Sequence, residues 1–418
     1  MRSDVDVLII GAGPTGLAAA LELRRLGAGH VLVVDREERA GGVPRHAAHL
    51  GFGMLDLHRV LTGPRYAERY VHLTRSAGAE VRTGVTVTEW CGPTALRATS
   101  RHGVAEISAR AVILATGCRE RPRSARLVPG DRPAGVLTTG ALQQLAHLRR
   151  APVGREAVVV GAEHVSFSAL LTLAHAGTKA VAMVTEHARV QSYPPLKWLS
   201  AGRLGVRILT HTRLTQIIGA RRVEGVTLED VGSGAQRRLA CDTVVFTGDW
   251  IPDHELSRQG GLEIDPDGRG PRVDFALRTS RRGVFAAGNL LHGAERADVA
   301  ALSGRHAARR AHAFLRTDHW PARPPVAVTC ASPVLWASPS AIGVEPSAAP
   351  HGHFILRVGR FCGPGDFVAS QEGRELWRER RRRLVPNRSI HLTADWAYLV
   401  DPGGGEVRVG FEEVGSRL

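Results

Sequence analysis

The 418-residue chain carries 55 Lys and Arg against 40 Asp and Glu, a formal net charge of +15, with 43% hydrophobic and only 5% aromatic residues. That length admits two or three domains with an ample core, and no apolar run approaches the ~18 residues of a membrane span. The basic residues are nearly all arginine and are not interleaved with stacking aromatics, so they read as an arginine-rich surface favouring anionic ligands or an acidic partner, not as a nucleic-acid interface. The five cysteines are scattered and form no CxxC pair, which leaves no disulfide framework and no expected metal or iron–sulfur site. A glycine fingerprint from residue 11 leaves little room for a cleavable leader, so the expected compartment is the cytoplasm.

Residues 5–10 form an apolar run broken only by Asp6, followed at once by Gly11-Ala12-Gly13-Pro14-Thr15-Gly16. A helical stretch (17–26) and a second apolar strand (31–34) then lead to Asp35. This order predicts a dinucleotide-binding unit. Gly11 permits the tight turn, Gly13 lets the backbone approach a pyrophosphate, and Gly16 lets helix and strand pack closely. The helix N-terminus offers its N–H groups to the phosphates, and Asp35 can accept from a ribose hydroxyl.

The chain continues through Arg36 to Gly41-Gly42-Val43-Pro44-Arg45-His46. The Gly-Gly loop resembles that of the flavoproteins with two dinucleotide-binding domains, where it lies beside the flavin. Disulfide reductases of that superfamily place a redox cysteine pair just beyond it. Here Pro44, Arg45 and His46 stand instead and the first cysteine is Cys91, so that chemistry is not expected from this motif. His46, with His49 nearby, is a candidate general base, and Arg45 a candidate partner for a substrate carboxylate.

Residues 66–73 read as an amphipathic helix and 78–87 as a strand; alternation at 95–99 and 104–107 suggests a small antiparallel excursion. In the resembled family the strand containing Val85 passes beside the adenine. A buried strand, 111–114, then ends in Ala115-Thr116-Gly117, similar to the family's second FAD signature. The landmarks that follow are Glu120-Arg121-Pro122, Pro129-Gly130, Gly135-Val136, Thr139-Gly140 and Gln143. They resemble the flavoprotein subunits of opine oxidase, hydrogen cyanide synthase and dye-linked proline dehydrogenase, and the matching part of the sarcosine oxidase α subunit.

A second strand–turn–helix unit opens at 157–160 with Gly161-Ala162-Glu163-His164-Val165-Ser166, and its next strand (180–184) ends near Glu186. Glu163 replaces the second glycine and Ser166 the third. A carboxylate beside a diphosphate is unfavourable unless it turns away or meets a ribose hydroxyl. The expectation is a Rossmann-like domain in which NAD(H) binding is weakened; Glu186 would favour NAD over NADP.

The third stretch, 284–287 followed by Gly288-Asn289, completes the resemblance: Asn289 would face the flavin's ribityl or phosphate part. A helix carrying Asp298 and Val299 would aim its positive end at the flavin ring. Prolines punctuate residues 319–350, and strands are expected at 354–358 and 406–409. The arginine run 378–383 reads as a solvated face. The predicted fold is α/β: two Rossmann-like three-layer domains, the second inserted in the first, plus a small β-rich C-terminal module. The boundaries are 1–120 with 249–318, 121–248 and 319–418. The resemblance implies an FAD-dependent oxidoreductase, either a dehydrogenase or an electron-transfer component, acting on an amine, amino acid or similar small metabolite, with a partner oxidoreductase subunit. Two alternatives are an NADH-dependent flavin reductase passing electrons to an external acceptor and a non-catalytic FAD-binding scaffold. Cys330 and Cys362 alone cannot ligate the iron–sulfur cluster that relatives carry in this region.

Overall fold

A computed structural model describes residues 2–198, 202–293, 295–345 and 347–414. The chain divides into two compact units: one comprises Met1–Arg45, Leu50–Cys118 and Ile251–Leu418, the other His46–His49 and Arg119–Trp250. The architecture is the expected mixed α/β arrangement with Rossmann-like sheets and a β-rich C-terminal part.

In the first unit, strand Arg2–Ile10 lies between Val31–Asp35 and Gly103–Leu114, parallel to both, with Glu80–Thr83 beyond Val31–Asp35. Val7, Leu8 and Ile9 are fully buried, as a central parallel strand covered on both faces requires. Each such side chain contributes about 1.5–3 kcal/mol relative to exposure. The two short patterns predicted at 104–107 and 111–114 belong to one twelve-residue strand. Its first half pairs antiparallel with Ala95–Ser100, and its end pairs parallel with Val284–Ala286. One strand thus serves both the antiparallel excursion and the parallel sheet.

Helix Pro14–Arg25 packs against helix Ala297–Thr317, whose buried Ala300, Ala301, Gly304, Ala307, Ala308 and Ala311 allow close approach. A Cβ on Gly304 would strike the Thr15 carbonyl. Helix Gly63–Ser76 buries Tyr66 and Tyr70, whose hydroxyls each donate to buried Asp56 at 2.6 Å. Burial and that carboxylate raise both phenols, so they stay protonated.

The C-terminal strands of this unit form a five-stranded and a three-stranded sheet around Val328, Phe354, Leu356, Phe367, Trp396 and Val407. The arginine run falls largely on the edge strand Arg374–Arg381, where Arg378 pairs with Glu375, Asp366 and Glu412. Charges on an exposed edge oppose strand addition.

The second unit is built on a parallel sheet in the order Val136–Thr138, Thr243–Phe246, Glu156–Val160, Lys179–Val184, Arg207–Leu209. Helix His164–His175 covers one face with Phe167, Leu170 and Leu173; an antiparallel three-stranded sheet, Thr212–Ile218, Gly225–Asp230 and Gln236–Ala240, completes the unit.

Candidate functional site

The glycine stretches of the first unit converge. Gly11 has φ +107°, a left-handed conformation, and a Cβ there would collide with the Ala115 carbonyl oxygen. The first turn and the Ala115-Thr116-Gly117 turn therefore touch backbone to backbone. A Cβ on Gly16 would run into the Gly11 carbonyl, so helix and strand can close only on glycine. Gly41 donates its N–H to the Ala12 carbonyl at 2.7 Å, drawing the Gly41-Gly42 loop over the same turn. Gly288 packs on Thr15, and its N–H donates to Ser303 Oγ at 3.1 Å.

Above Gly13 the space is open: a Cβ there would meet only the Gly42 Cα, at 4.0 Å. Gly13 is the N-cap of helix Pro14–Arg25, whose first turn carries no acid and no side-chain cap. Pro14 supplies no N–H, so the following backbone donors are what this end offers to an anion. Asp35 lies beside the turn. Its Oδ2 accepts from Ala12 N–H at 2.6 Å and its Oδ1 from Glu37 N–H at 2.8 Å, which orients the carboxylate and leaves further lone pairs.

A cleft of about 290 Å³ runs from Ile10 and Gly11 along Asp35 and Arg36 to Val85, Thr116 and Asp253. Its floor is strand Val85–Trp90 and its other wall is Leu256 and Gln259, where Gln259 Nε2 donates to the Thr88 carbonyl at 3.0 Å. Thr116 Oγ1 donates to the Asp253 carbonyl at 2.8 Å, and Arg36 pairs with the Asp253 carboxylate at 3.2 Å. Residues 253–259 carry no phosphate-turn signature; the only sequence signal for their part in the cleft is their return to the first unit. A glycine-floored turn, an uncapped helix end, an oriented carboxylate and an adjoining cleft together fit a dinucleotide.

Other predicted residues are committed elsewhere. Asn289 bridges its own loop, donating to the Glu295 carbonyl at 3.2 Å and accepting from Glu295 N–H at 3.0 Å. Asp298 is buried and accepts from Arg296 at 2.6 Å, Val299 N–H at 3.0 Å and Leu55 N–H at 3.3 Å. It thereby offsets the positive end of helix Ala297–Thr317 from within. Val299 packs with Trp336 and Ile355, and Val43 is exposed. Arg45 pairs with Glu37 at 3.3 Å.

His46 belongs to the second unit and is buried there, with Nδ1 3.1 Å from Gln143 Oε1. Gln143 Nε2 donates to Ser168 Oγ at 2.9 Å, so Oε1 faces the imidazole and Nδ1 is the donor.

The second unit's turn is laid out differently. Gly161 N–H donates to the Val184 carbonyl, as Gly11 N–H does to Val34. Strand pairing then puts Thr185, not Glu186, at the position of Asp35, and Glu186 is exposed one residue further on. By the same register Thr247 stands where Ala115 stands. Buried Ser166 hydrogen-bonds Thr247 at 2.7 Å, and Glu163 folds back onto the turn itself.

Among the described residues no group of three His, Cys, Asp or Glu side chains could hold a metal ion, and no helix is long and apolar enough to cross a membrane. Residues 5–304 match the pyridine nucleotide-disulphide oxidoreductase family. The chain is 37% identical over 128 residues to the sarcosine oxidase alpha subunit of Corynebacterium sp. (strain P-1), a match covering 28% of this chain but 13% of that relative. It is 28% identical over 343 residues to an opine oxidase subunit of Agrobacterium tumefaciens, covering 74% of this chain and 66% of the relative. Thioredoxin reductase from T. acidophilum shares the fold, with a TM-score of 0.63 at 21% identity over 75% of this chain and 99% of its own. The chain belongs to the pyridine nucleotide-disulphide oxidoreductase family and is an FAD-dependent oxidoreductase.

Proposed function

We propose that the chain is a dehydrogenase or electron-transfer subunit that oxidises an amine, an amino acid or a similar small metabolite. The observation that carries this is the state of its thiols. Disulfide reduction needs a paired, accessible cysteine couple with thiolate character. Here no two cysteines form a CxxC pair; Cys241, the single cysteine of the second unit, is buried, and its thiol is pushed up to about 11. These thiols support a route for the electrons other than a protein disulfide. Two relatives bear names of oxidases of small nitrogenous metabolites, and both are named as subunits, which supports an amine-type substrate and a partner subunit.

In this assignment Gly13 and the following N–H groups of helix Pro14–Arg25 hold the FAD pyrophosphate, and Asp35 accepts from the adenosine ribose. The cleft past Arg36 and Val85 takes the nucleoside end. FAD, when bound, supplies the hydride-accepting ring. Gly41, Gly42, Ala115, Thr116 and Gly288 give the close backbone approach, while Asn289 and Asp298 hold the loop and helix end in place. His46, hydrogen-bonded to Gln143, is the group proposed to take the substrate proton.

The test is anaerobic mixing of the purified, FAD-loaded protein with a panel of secondary amines, amino acids and opine-type imino acids. Bleaching of the flavin by at least one of these is expected. Reduction of a dithiol- or disulfide-linked partner with no response to amines would overturn the assignment.

A further inference from the structure

We propose that Glu163 plugs the second nucleotide turn, standing in for the phosphate a dinucleotide would bring, so that this unit does not take NAD(P)H and the flavin draws its electrons from substrate or partner. The inference rests on the proposed function only for that last consequence.

The two turns of the chain are built on the same register, and four of the positions at which they differ bear on a phosphate: Gly13/Glu163, Gly16/Ser166, Asp35/Thr185 and Ala115/Thr247. In the first unit Gly13 leaves the space above the turn open. In the second, Glu163 is the N-cap of helix His164–His175, and its carboxylate turns inward. Its Oε2 accepts from Ala162 N–H at 3.0 Å and its Oε1 from the Thr247 hydroxyl at 2.6 Å. The carboxylate is thereby held over the turn on which a pyrophosphate would settle. A Cβ placed on Gly161 would lie 2.9 Å from both Glu163 oxygens, so the carboxylate sits directly over the turn.

The plug is held by the other substitutions. Thr247, at the place of Ala115, gives its proton to Glu163 and accepts from Ser166, which occupies the place of Gly16. In the first unit the Ala12 N–H is taken by Asp35 from the neighbouring strand; in the second the equivalent Ala162 N–H is taken by the turn's own acid. Thr185, at the place of Asp35, carries no carboxylate for a ribose. The nearby cation is also engaged: Arg126 donates to the Thr247 and Gly248 carbonyls at 3.0 and 2.7 Å. A second acid, Glu120, is buried in the same unit and feels the Glu163 charge. A diphosphate entering here would displace two hydrogen bonds and meet like charge.

The experiment is calorimetric titration of the FAD-loaded protein with NAD+ and NADP+, which are redox-inert under these conditions. The wild type is expected to show no saturable binding up to about 1 mM, the weak limit of specific affinity. Glu163→Gly, which keeps an acceptable N-cap residue, and Glu163→Gly with Thr247→Ala are expected to bind NAD+ at least tenfold more tightly than that limit. Thr247→Ala alone, which removes one of the two anchors, provides a milder variant should the glycine change perturb folding, and should give detectable binding. Saturable binding by the wild type, or no binding by folded variants that retain flavin, would overturn the inference. Neither result depends on whether amines bleach the flavin, so the two proposals fail separately.

Discussion

Placing a glutamate at Gly13 would import the second unit's turn into the first. A Cβ at 13 meets only the Gly42 Cα at 4.0 Å, so the side chain has room and the fold should survive. Ala115 provides no hydroxyl to draw the carboxylate down as Thr247 does for Glu163, so the charge would project into the open space over the turn. At ~4–5 Å from a phosphate and an effective dielectric between 20 and 80, the repulsion is about 1–4 kcal/mol. That predicts a roughly five- to thousandfold loss of FAD affinity. Gly13→Ala, adding bulk without charge, should lose less. The assay is fluorescence titration of the apoprotein with FAD, with circular dichroism to confirm folding. Gly13→Glu that retains FAD as tightly as the wild type would refute the assignment of this turn to the pyrophosphate.

Acid should unfold the first unit cooperatively. Burial pushes His292, His306 and His351 down to about 4, from an ordinary 6.5. Each binds fewer protons folded than unfolded between those values, so stability is full above about pH 6.5 and falls as pH drops towards 4. Three such groups give a slope of ~4 kcal/mol per pH unit. Asp265, pushed up to about 6 by burial, works the other way and trims the net slope to roughly 2–3 kcal/mol per pH unit. Urea midpoints measured from pH 7.5 to 5 check this, and a flat profile would contradict it. His46→Ala should slow substrate reduction of the flavin by about 10²-fold or more without loss of bound flavin. Stopped-flow bleaching reads the rate, and an unchanged rate would remove His46 from the reaction.

The sequence was most legible where one physical requirement dominates. The buried part of strand Arg2–Ile10, Val7 to Ile10, and the turn at Gly11–Gly16 follow from apolar continuity and from the places at Gly11 and Gly16 where a Cβ cannot fit. What it hid were matters of register and side-chain direction. Glu186 looks like the strand-end acid in one dimension, but pairing of Val160 with Val184 gives that position to Thr185. The resemblance makes Asn289 and the helix of Asp298 flavin neighbours; the side-chain bonds they make, to Glu295, Arg296 and backbone groups, are not written in the sequence. His46 and Arg45 are neighbours in sequence but belong to different compact units. The arginine run looked like a bare solvated face; its pairing with Asp366, Glu375 and Glu412 depends on strand neighbours that come from distant segments.

The most direct test of the account is the anaerobic visible spectrum of the purified protein, recorded alone, with NADH, and with the amine and amino-acid panel. The account predicts a bound-flavin spectrum that NADH leaves oxidised and that a small amine or amino acid bleaches. A protein that shows no flavin band after incubation with excess FAD, or whose flavin is bleached by NADH and by none of the amines, would contradict it.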